Sequence, residues 1–387
     1  NVKITNAQET EEAQEIGGIA GVWNNADNTV VTMTNCSFTG SLSTNVATEY
    51  CYGGLVGKSY NATGAGKLYI NGSEFNKDGI SFAAINNILA AGGDYTLPFD
   101  VIGTASASNA YGATAINQLN GGTIDGNGYT LKANGAGGTW GSAINTTGGT
   151  IKNITVAKGF RGIFINHNST YSDKVVLENV TIEGPVYTIS CDQGTGKGLE
   201  AYNSTFNGWT SYAATIGKVK FENCSFGYGA GYKFCRPYAP TTFIGCNFCE
   251  GYEIDARAAV TLVNCKLNGV PVTEGNLATL VTGNIQNAGF APVVENVEDL
   301  KSALAEGAVY VKVAAGNYTF PSSSVKAGVT IECAEGTVFT GNSKLNINGA
   351  TVIGAKFSNT AGTAVDQTIN GTFKDCTFEG ANALRWC

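Results

Sequence analysis

One short phrase recurs along the chain and restricts the folds that it can adopt. Each copy has alternating apolar residues, an Asn or Gly, a Cys or another small residue, a polar and an apolar residue, and usually a Gly. The copies lie at 30–40, 67–75, 149–159, 175–184, 200–208, 219–227, 241–251, 260–269 and 371–380. From Asn153 the central Asn or Gly recurs after 26, 24, 20, 22 and 19 residues. A near-constant period of this size indicates a solenoid, in which each repeat stacks on the one before it.

The phrase also indicates which kind of solenoid forms. Alternating apolar residues place one set of side chains inward, and the central Asn then turns the chain. Asn suits such a corner because it tolerates left-handed backbone geometry and because its amide can bond the amides of neighbouring coils. Short corners without helices between equivalent strands imply parallel pairing. We therefore predict an all-β parallel β-helix with short capping helices where a stack of coils begins.

Composition excludes several classes of protein. The chain has 387 residues, 43% of them hydrophobic, and 52 glycines, which suits a large β core with many tight turns. Its formal net charge is −7, so it lacks the basic surface that nucleic-acid binding needs. The sequence has no run near the about 18 apolar residues of a membrane span. No cofactor motif is found, and we expect none to bind.

The cysteines follow the repeat. A position that recurs in a solenoid stacks on itself, so we expect these thiols to form a ladder of small buried residues and not a disulfide framework. Cys246 and Cys249 have neither a second pair nor a nearby His, so no zinc site is expected. Cys235 and Cys249 leave one disulfide open as an alternative. The cysteines at the repeat position are Cys36, Cys224, Cys246, Cys265 and Cys376.

Two segments resemble starts of a coil stack. Asn296 can cap an amphipathic helix with Val297, Leu300 and Leu304 on one face, which runs into a strand near Val311. A second start places Ile85, Ile88 and Leu89 before a strand at Tyr95. We therefore predict three parts: a β-helical tail at 1–78, a full β-helix at 79–292 and the opening of a further β-helix at 293–387. The natural protein is expected to continue beyond Cys387.

These features resemble the pectin-lyase-like superfamily of right-handed parallel β-helices over roughly residues 80 to 387. The strings GGIAG at Gly17 and GGLVG at Gly53 are similar to GLUG-type repeats of bacterial surface proteins. The combination resembles surface proteins of gut Bacteroidetes or of their phages. The resemblance implies a right-handed helix and an extracellular or cell-surface location.

Enzymes of that superfamily carry signatures that this chain lacks. Polygalacturonase-like members have the strings NTD, DD, GHG and RIK, and none of them occurs here. Pectate-lyase-like members have an RxPxxR pattern, whereas the segment CRPYAP at Arg236 has no second Arg. The resemblance therefore supports the scaffold and argues against the known chemistries.

Four candidate sites remain. His167, the only histidine, is expected to be an exposed loop residue, and the oxygens of DGNG at 125–128 and NNADN at 24–28 are expected to serve turns and not a metal. The richest stretch runs from Trp209 to Arg257, where aromatic residues accompany carboxylates and arginines. Such a combination suits a sugar ring, although outward packing and ordinary ion pairs would explain it too. The candidate binding residues are Trp209, Tyr232, Arg236, Tyr238, Tyr252, Asp255 and Arg257.

The sequence thus favours a non-catalytic extracellular β-helix that serves as an adhesin-like or glycan-binding scaffold. Its expected partners are glycans or a surface polysaccharide. Two alternatives stay open: a polysaccharide lyase or hydrolase with carboxylates that converge near Asp255, and a trimeric phage tail-spike or fibre protein.

The ladder hypothesis makes a prediction about thiol reactivity. Cys224, Cys246 and Cys265 should react slowly with a thiol reagent in the native protein, because buried thiols are inaccessible to the reagent. Labelling should become fast in denaturant, with mass spectrometry of the peptides identifying each site. Fast labelling of all three in the native state would contradict the ladder.

Overall fold

A computed structural model of the chain describes residues 112–134, 141–166, 172–319, 323–340, 345–347, 349–358 and 371–380, together with strands and short segments elsewhere. These residues form two compact units. One consists of Asn1–Val260 with Asn264–Asn287, the other of Thr261–Val263 with Ala288–Cys387. Each unit is a stack of parallel strands from successive coils, so the predicted all-β parallel β-helix is confirmed. The boundaries predicted at 78 and 292 stay predictions.

In the N-terminal part of the first unit, the repeats pair with one another. Gly17 of the first GLUG-like string lies opposite Gly53 of the second, and the strands at 30–34 and 67–71 pair from Val30↔Lys67 onward. The sequence similarity therefore corresponds to parallel stacking. The strands here are Lys3–Glu9, Glu15–Gly17, Ala20–Asn24, Val30–Thr34, Ser37–Leu42, Cys51–Gly53, Val56–Tyr60, Lys67–Asn71 and Glu74–Asn76.

The phrase itself builds a sheet that we call the pivot sheet. Its register pairs Ile154 with Val180 and Thr181 with Thr205, the same intervals of 26 and 24 residues that separate the central asparagines. The later intervals recur in the same way. The strands of the pivot sheet include Tyr95–Thr96, Val101–Thr104, Thr123–Asp125, Thr130–Asn134, Gly149–Val156, Val175–Ile182, Leu199–Tyr202, Thr205–Asn207, Val219–Glu222, Ser225–Gly227, Thr241–Ile244, Asn247–Phe248, Val260–Val263, Lys266–Leu267 and Val270–Pro271.

From Asn153 to Asn264, the central residue of the phrase adopts positive φ, as predicted. Asn153, Asn179, Asn203, Asn223 and Asn264 have φ between 49° and 55°. The Asn179 amide donates to Asn153 Oδ1, and the Asn153 amide donates to Asp125 Oδ1, each at 3.1 Å. One copy has Gly245 instead, at φ 60°, where a Cβ would lie only 2.7 Å from Asn223 Oδ1. These corners therefore combine left-handed backbone with close stacking of amides.

The cysteine ladder lies just after the corner, inside the coil. Cys224, Cys246 and Cys265 are at most 2% exposed. Each thiol donates to a backbone oxygen of the previous coil: Ala201 O, Phe221 O and Phe243 O, at 3.3–3.5 Å. In the second unit, half-buried Cys376 makes the same contact with Val352 O. The buried ladder is thus confirmed at Cys224, Cys246 and Cys265, whereas Cys376 makes the same contact without being buried and Cys36 lies outside the described residues.

The disulfide left open for Cys235 and Cys249 does not form. Both residues are reduced thiols. Cys235 points into the core and is 0% exposed, whereas Cys249 is half-buried. Cys235 lies within the strand Phe234–Pro237, whereas Cys249 directly follows the strand Asn247–Phe248 of the pivot sheet, so the two residues belong to different sheets.

The core between the sheets contains stacked aromatic rings. Phe221 stacks on Phe243 with centroids 5.2 Å apart, and Phe226 stacks on Phe248 at 5.1 Å. All four residues are at most 1% exposed. Each pair is one repeat position in two successive coils, so the parallel register places ring over ring.

A further sheet of the first unit, which we call the aromatic sheet, carries the candidate site. It begins with an antiparallel pair and continues with parallel strands. Its strands are Ala107–Asn109, Gly112–Gln118, Ser142–Thr146, Arg161–Asn166, Tyr187–Gln193, Trp209–Tyr212, Phe234–Pro237, Glu253–Ala256 and Val281–Gly283. Short helical segments of this unit are Ala214–Ile216, Leu277–Leu280 and Ile285–Asn287. The second predicted start is described at Ile85 and Leu89, both buried, and at the strand Tyr95–Thr96.

The second unit begins with the predicted capping helix, Val297–Ala305. Asn296 Oδ1 accepts a hydrogen bond from the Asp299 N–H at 2.9 Å, and Leu300 packs in one buried cluster with Val311. The strands that follow form three parallel sheets. The strands of this unit are Ala288–Phe290, Val293–Val294, Tyr310–Val313, Gly316–Thr319, Ser323–Val325, Thr330–Cys333, Thr337–Thr340, Leu345–Ile347, Thr351–Ile353, Lys356–Ser358, Val365–Asp366, Thr372–Lys374, Thr377–Glu379 and Leu384–Arg385.

The corner geometry predicts the effect of two substitutions at Asn179. Asn179→Ala keeps the Cβ at φ 55° but removes the side-chain amide that bonds Asn153. It should lower the free energy of unfolding by about 1–2 kcal/mol. Asn179→Gly loses the same amide without the strain and should cost less. Urea unfolding measures both changes, and an Asn179→Ala protein as stable as the parent would contradict the importance of the corner.

Buried phenols and thiols predict a loss of stability at alkaline pH. Burial raises the pKa values of Tyr212, Cys235 and Tyr252. Their protons are therefore retained on folding but lost from the unfolded chain above about pH 8.5–10. The contribution of these groups to the free energy of unfolding is complete below that range. It should fall as pH rises, by up to about 1.4 kcal/mol per pH unit for each group.

The measurement is the urea midpoint at pH 8 and at pH 10.5. Tyr212→Phe removes one titrating group and should make the decline with pH shallower. An equal decline in that variant would show that Tyr212 is not among the groups responsible.

Candidate functional site

Aromatic side chains form a continuous row along the aromatic sheet. The register places Tyr187 opposite Trp209 and Trp209 opposite Phe234. The Tyr187 and Trp209 rings stack with centroids 4.5 Å apart, and the Phe234 ring meets Trp209 edge-on at 5.6 Å. Tyr232 joins the row from the preceding turn, 5.3 Å from the Trp209 ring. Because the rings are half-buried or exposed, we infer that this row lies on the outer face of the sheet.

A group of three charged residues lies beside this row. Arg236 donates its Nε–H to Asp255 Oδ2 at 3.0 Å, and Arg257 Nε lies 2.9 Å from Asp255 Oδ1. The hydrogen bond to Asp255, followed by the attraction of its charge, raises the pKa of Arg257. The Arg236 guanidinium carbon also lies 5.4 Å from the Trp209 ring centroid and 5.1 Å from that of Phe234. Arg236 thus joins the aromatic row to the charged group.

Two tyrosines of this surface are open to solvent. Tyr232 is 41% exposed and Tyr238 is 44% exposed, whereas Asp255 is 5% exposed. Tyr238 follows the strand Phe234–Pro237 directly, so it lies close in sequence to Arg236. The surface therefore offers phenol rings and guanidinium groups from a rigid sheet, with the carboxylate below them.

The structure brings together six of the predicted site residues and removes one from the surface. Trp209, Tyr232, Arg236, Asp255 and Arg257 are connected through the contacts above, and Tyr238 adjoins them. The expectation of a surface position for Tyr252 needs correction. Its ring is 0% exposed and packs against the Phe226 and Phe248 rings at 5.7 and 5.4 Å, because the chain turns inward before the strand Glu253–Ala256.

Sequence reasoning missed the extension of the row to Tyr187 and Phe234. Tyr187 precedes Trp209 by 22 residues, an interval within the range of the phrase, so aligning the second strand of each coil would have found it. Beyond Tyr187, Arg161 lies opposite it in register and forms an ion pair with Asp192. Arg161 is 1% exposed, so this pair extends the row but adds little accessible surface.

The other candidate sites have different outcomes. Residues 25–28 and His167 lie outside the described residues. Asp125 Oδ1 accepts the Asn127 N–H at 2.9 Å in a turn, and Lys152 Nζ lies 3.3 Å from Oδ2. Burial raises the pKa of Asp125, but its hydrogen bonds to Asn127, Asn153 and Lys152 together lower it below the ordinary value. In the described part of the chain, no group of three or more His, Cys, Asp or Glu could hold a metal ion.

A shallow groove on the pivot sheet is a second surface with polar lining. Tyr202 donates its hydroxyl to Glu200 Oε2 at 2.8 Å, and Lys174 Nζ lies 3.0 Å from Oε1. Burial raises the pKa of Glu200, but these two partners outweigh it and lower the pKa overall. Lys220 Nζ lies 4.5 Å from the centre of the Tyr202 ring. These contacts form a network of surface ion pairs that accounts for the polar lining.

Two further findings concern the membrane and known proteins. None of the helices in the described part of the chain combines the length and the apolar character that crossing a membrane requires. Comparison with known protein families, with curated protein sequences and with solved structures finds no match to this chain.

Proposed function

We propose that this protein is a non-catalytic, extracellular β-helix scaffold that binds carbohydrate on the aromatic sheet. The observation that carries the proposal is the pairing of exposed Tyr232 and Tyr238 with Arg236 and Arg257 on one rigid surface. Phenol rings stack on the apolar faces of sugars, and guanidinium groups donate hydrogen bonds to their oxygens. Both come from strands or adjoining turns, so little ordering is needed on binding.

The contacts of Asp255 support binding over catalysis. An enzymatic site here would need a carboxylate that can donate or accept a proton during the reaction. Asp255 instead directs one oxygen to each of two arginines and is almost fully buried. This arrangement holds the arginines in place, which is a positioning role.

The extracellular location is supported by the resemblance to pectin-lyase-like and GLUG-containing surface proteins. The state of the thiols is compatible with it. Cys224, Cys235 and Cys246 are almost completely buried, so an oxidising environment would reach them poorly. A repeated scaffold with an exposed face suits an adhesin-like or polysaccharide-binding role.

The test is a glycan array that includes pectins, mucin glycans and bacterial polysaccharides, scored for retention and for shortened products. We expect retention without cleavage, and a loss of about tenfold or more in affinity with Tyr238→Ala or Arg236→Ala. Tyr129→Ala, which removes a tyrosine that is 36% exposed near the pivot sheet, is the matched control and should bind as the parent does.

Each other outcome has a definite meaning. Cleavage would establish a lyase or hydrolase and contradict the proposal. Absence of retention on all glycans would favour a structural role, and a mass three times that of the monomer in that case would favour a phage fibre.

A further inference from the structure

The charged group beside the exposed tyrosines has an excess of positive charge. Arg236 and Arg257 share the single carboxylate of Asp255, with Nε–O distances of 3.0 and 2.9 Å. The Asp255 side chain is 8% exposed, whereas those of Arg236 and Arg257 are 33% and 50% exposed. One buried negative charge thus supports two accessible positive charges, and the group carries a net charge of about +1 at its surface.

Both arginines bind Asp255 through Nε, which leaves their terminal Nη–H groups available. Within the described part of the chain, these Nη groups make no hydrogen bond or ion pair. The rings of Trp209 and Phe234 pack near the Arg236 guanidinium and restrict its orientation. The surface therefore presents oriented donors whose charge Asp255 only half neutralises.

We propose that Arg236 and Arg257 bind a tetrahedral anionic substituent of the glycan, a sulfate or phosphate ester. This inference rests on the proposed carbohydrate binding and names the class of sugar. The two guanidinium groups contact different oxygens of Asp255, so they are two separate donor groups. A tetrahedral ester has three terminal oxygens that can accept from both groups, whereas a planar carboxylate is matched by the fork of a single arginine.

The neighbouring acids indicate where the anion binds. Glu253 is exposed and lies opposite Phe234, on the same strand as Asp255. It repels an anion from the Phe234 side of the arginines. Tyr238 lies near Arg257 and is a phenol, not a carboxylate, so the Tyr238 side of the group is the more favourable one for an anion. We place the ester group there, with the sugar ring over Tyr238.

The experiment uses four sugars with one skeleton: galactose, galactose 6-sulfate, galactose 6-phosphate and galacturonic acid. Ligand-observed NMR or calorimetry with the full chain measures their affinities. We expect at least one of the two esters to bind about tenfold or more tightly than both galactose and galacturonic acid. The ester that binds more tightly identifies whether sulfate or phosphate is the source.

Arg257→Ala should remove this preference: it should weaken binding of the preferred ester much more than binding of galactose, which loses only a neutral hydrogen bond. Arg257→Lys should keep only part of the preference. Because Arg257 is half exposed, these variants should fold, which circular dichroism checks. Lys266→Ala is the matched control: it removes one exposed positive charge from the pivot sheet and should change no affinity.

The outcomes separate this inference from the proposed function. Equal binding of galacturonic acid and the esters, or an unchanged ester affinity in Arg257→Ala, would overturn the inference. If all four sugars bind equally and Tyr238→Ala abolishes their binding, the inference fails and carbohydrate binding stands. If no sugar binds, carbohydrate binding itself fails and the inference fails with it.

Discussion

The left-handed corner at the central Asn or Gly of the phrase, from Asn153 to Asn264, is the constraint on which the rest of the pivot sheet depends. Backbone at φ near 50° turns the chain within one residue, and asparagine and glycine tolerate this conformation best. A corner this tight keeps equivalent strands in parallel register over coils of unequal length. The residues inserted between coils can then vary, because they leave the sheet at loops and do not alter the register.

The same register explains why side chains at equivalent positions of successive coils stack on each other. Inside the coils it produces the ladder of thiols that bond to the carbonyls of the previous coil and the columns of phenylalanine rings. On the outer face of the aromatic sheet it produces the row from Tyr187 through Trp209 to Phe234. The core and the candidate site are therefore two consequences of one stacking rule, applied to inward side chains of the pivot sheet and to outward side chains of the aromatic sheet.

A binding surface formed in this way is rigid before a ligand arrives. Asp255 lies under the two arginines and directs one oxygen to each, while the aromatic row packs against Arg236. Side chains that are already ordered lose less conformational entropy on binding, which favours recognition by a few exposed groups. The excess positive charge of the group then gives one surface of an acidic chain a local preference for anionic substituents.

The sequence by itself determined the period of the coils, the positive φ of the corner, the burial of the thiols and the capping helix at 297–305, because each depends on residues close together in the chain or on a repeated interval. Only the tertiary structure decided which aromatic residues reach the surface. Tyr252 and Tyr238 differ little in sequence context, yet the Tyr252 ring packs in the core and the Tyr238 ring is exposed. Tyr252 lies in the turn before its strand and Tyr238 directly after its strand, and the path of the chain at these two points decides where each ring lies. The sharing of Asp255 by Arg236 and Arg257 was likewise beyond the sequence, because it depends on the lateral alignment of strands from successive coils.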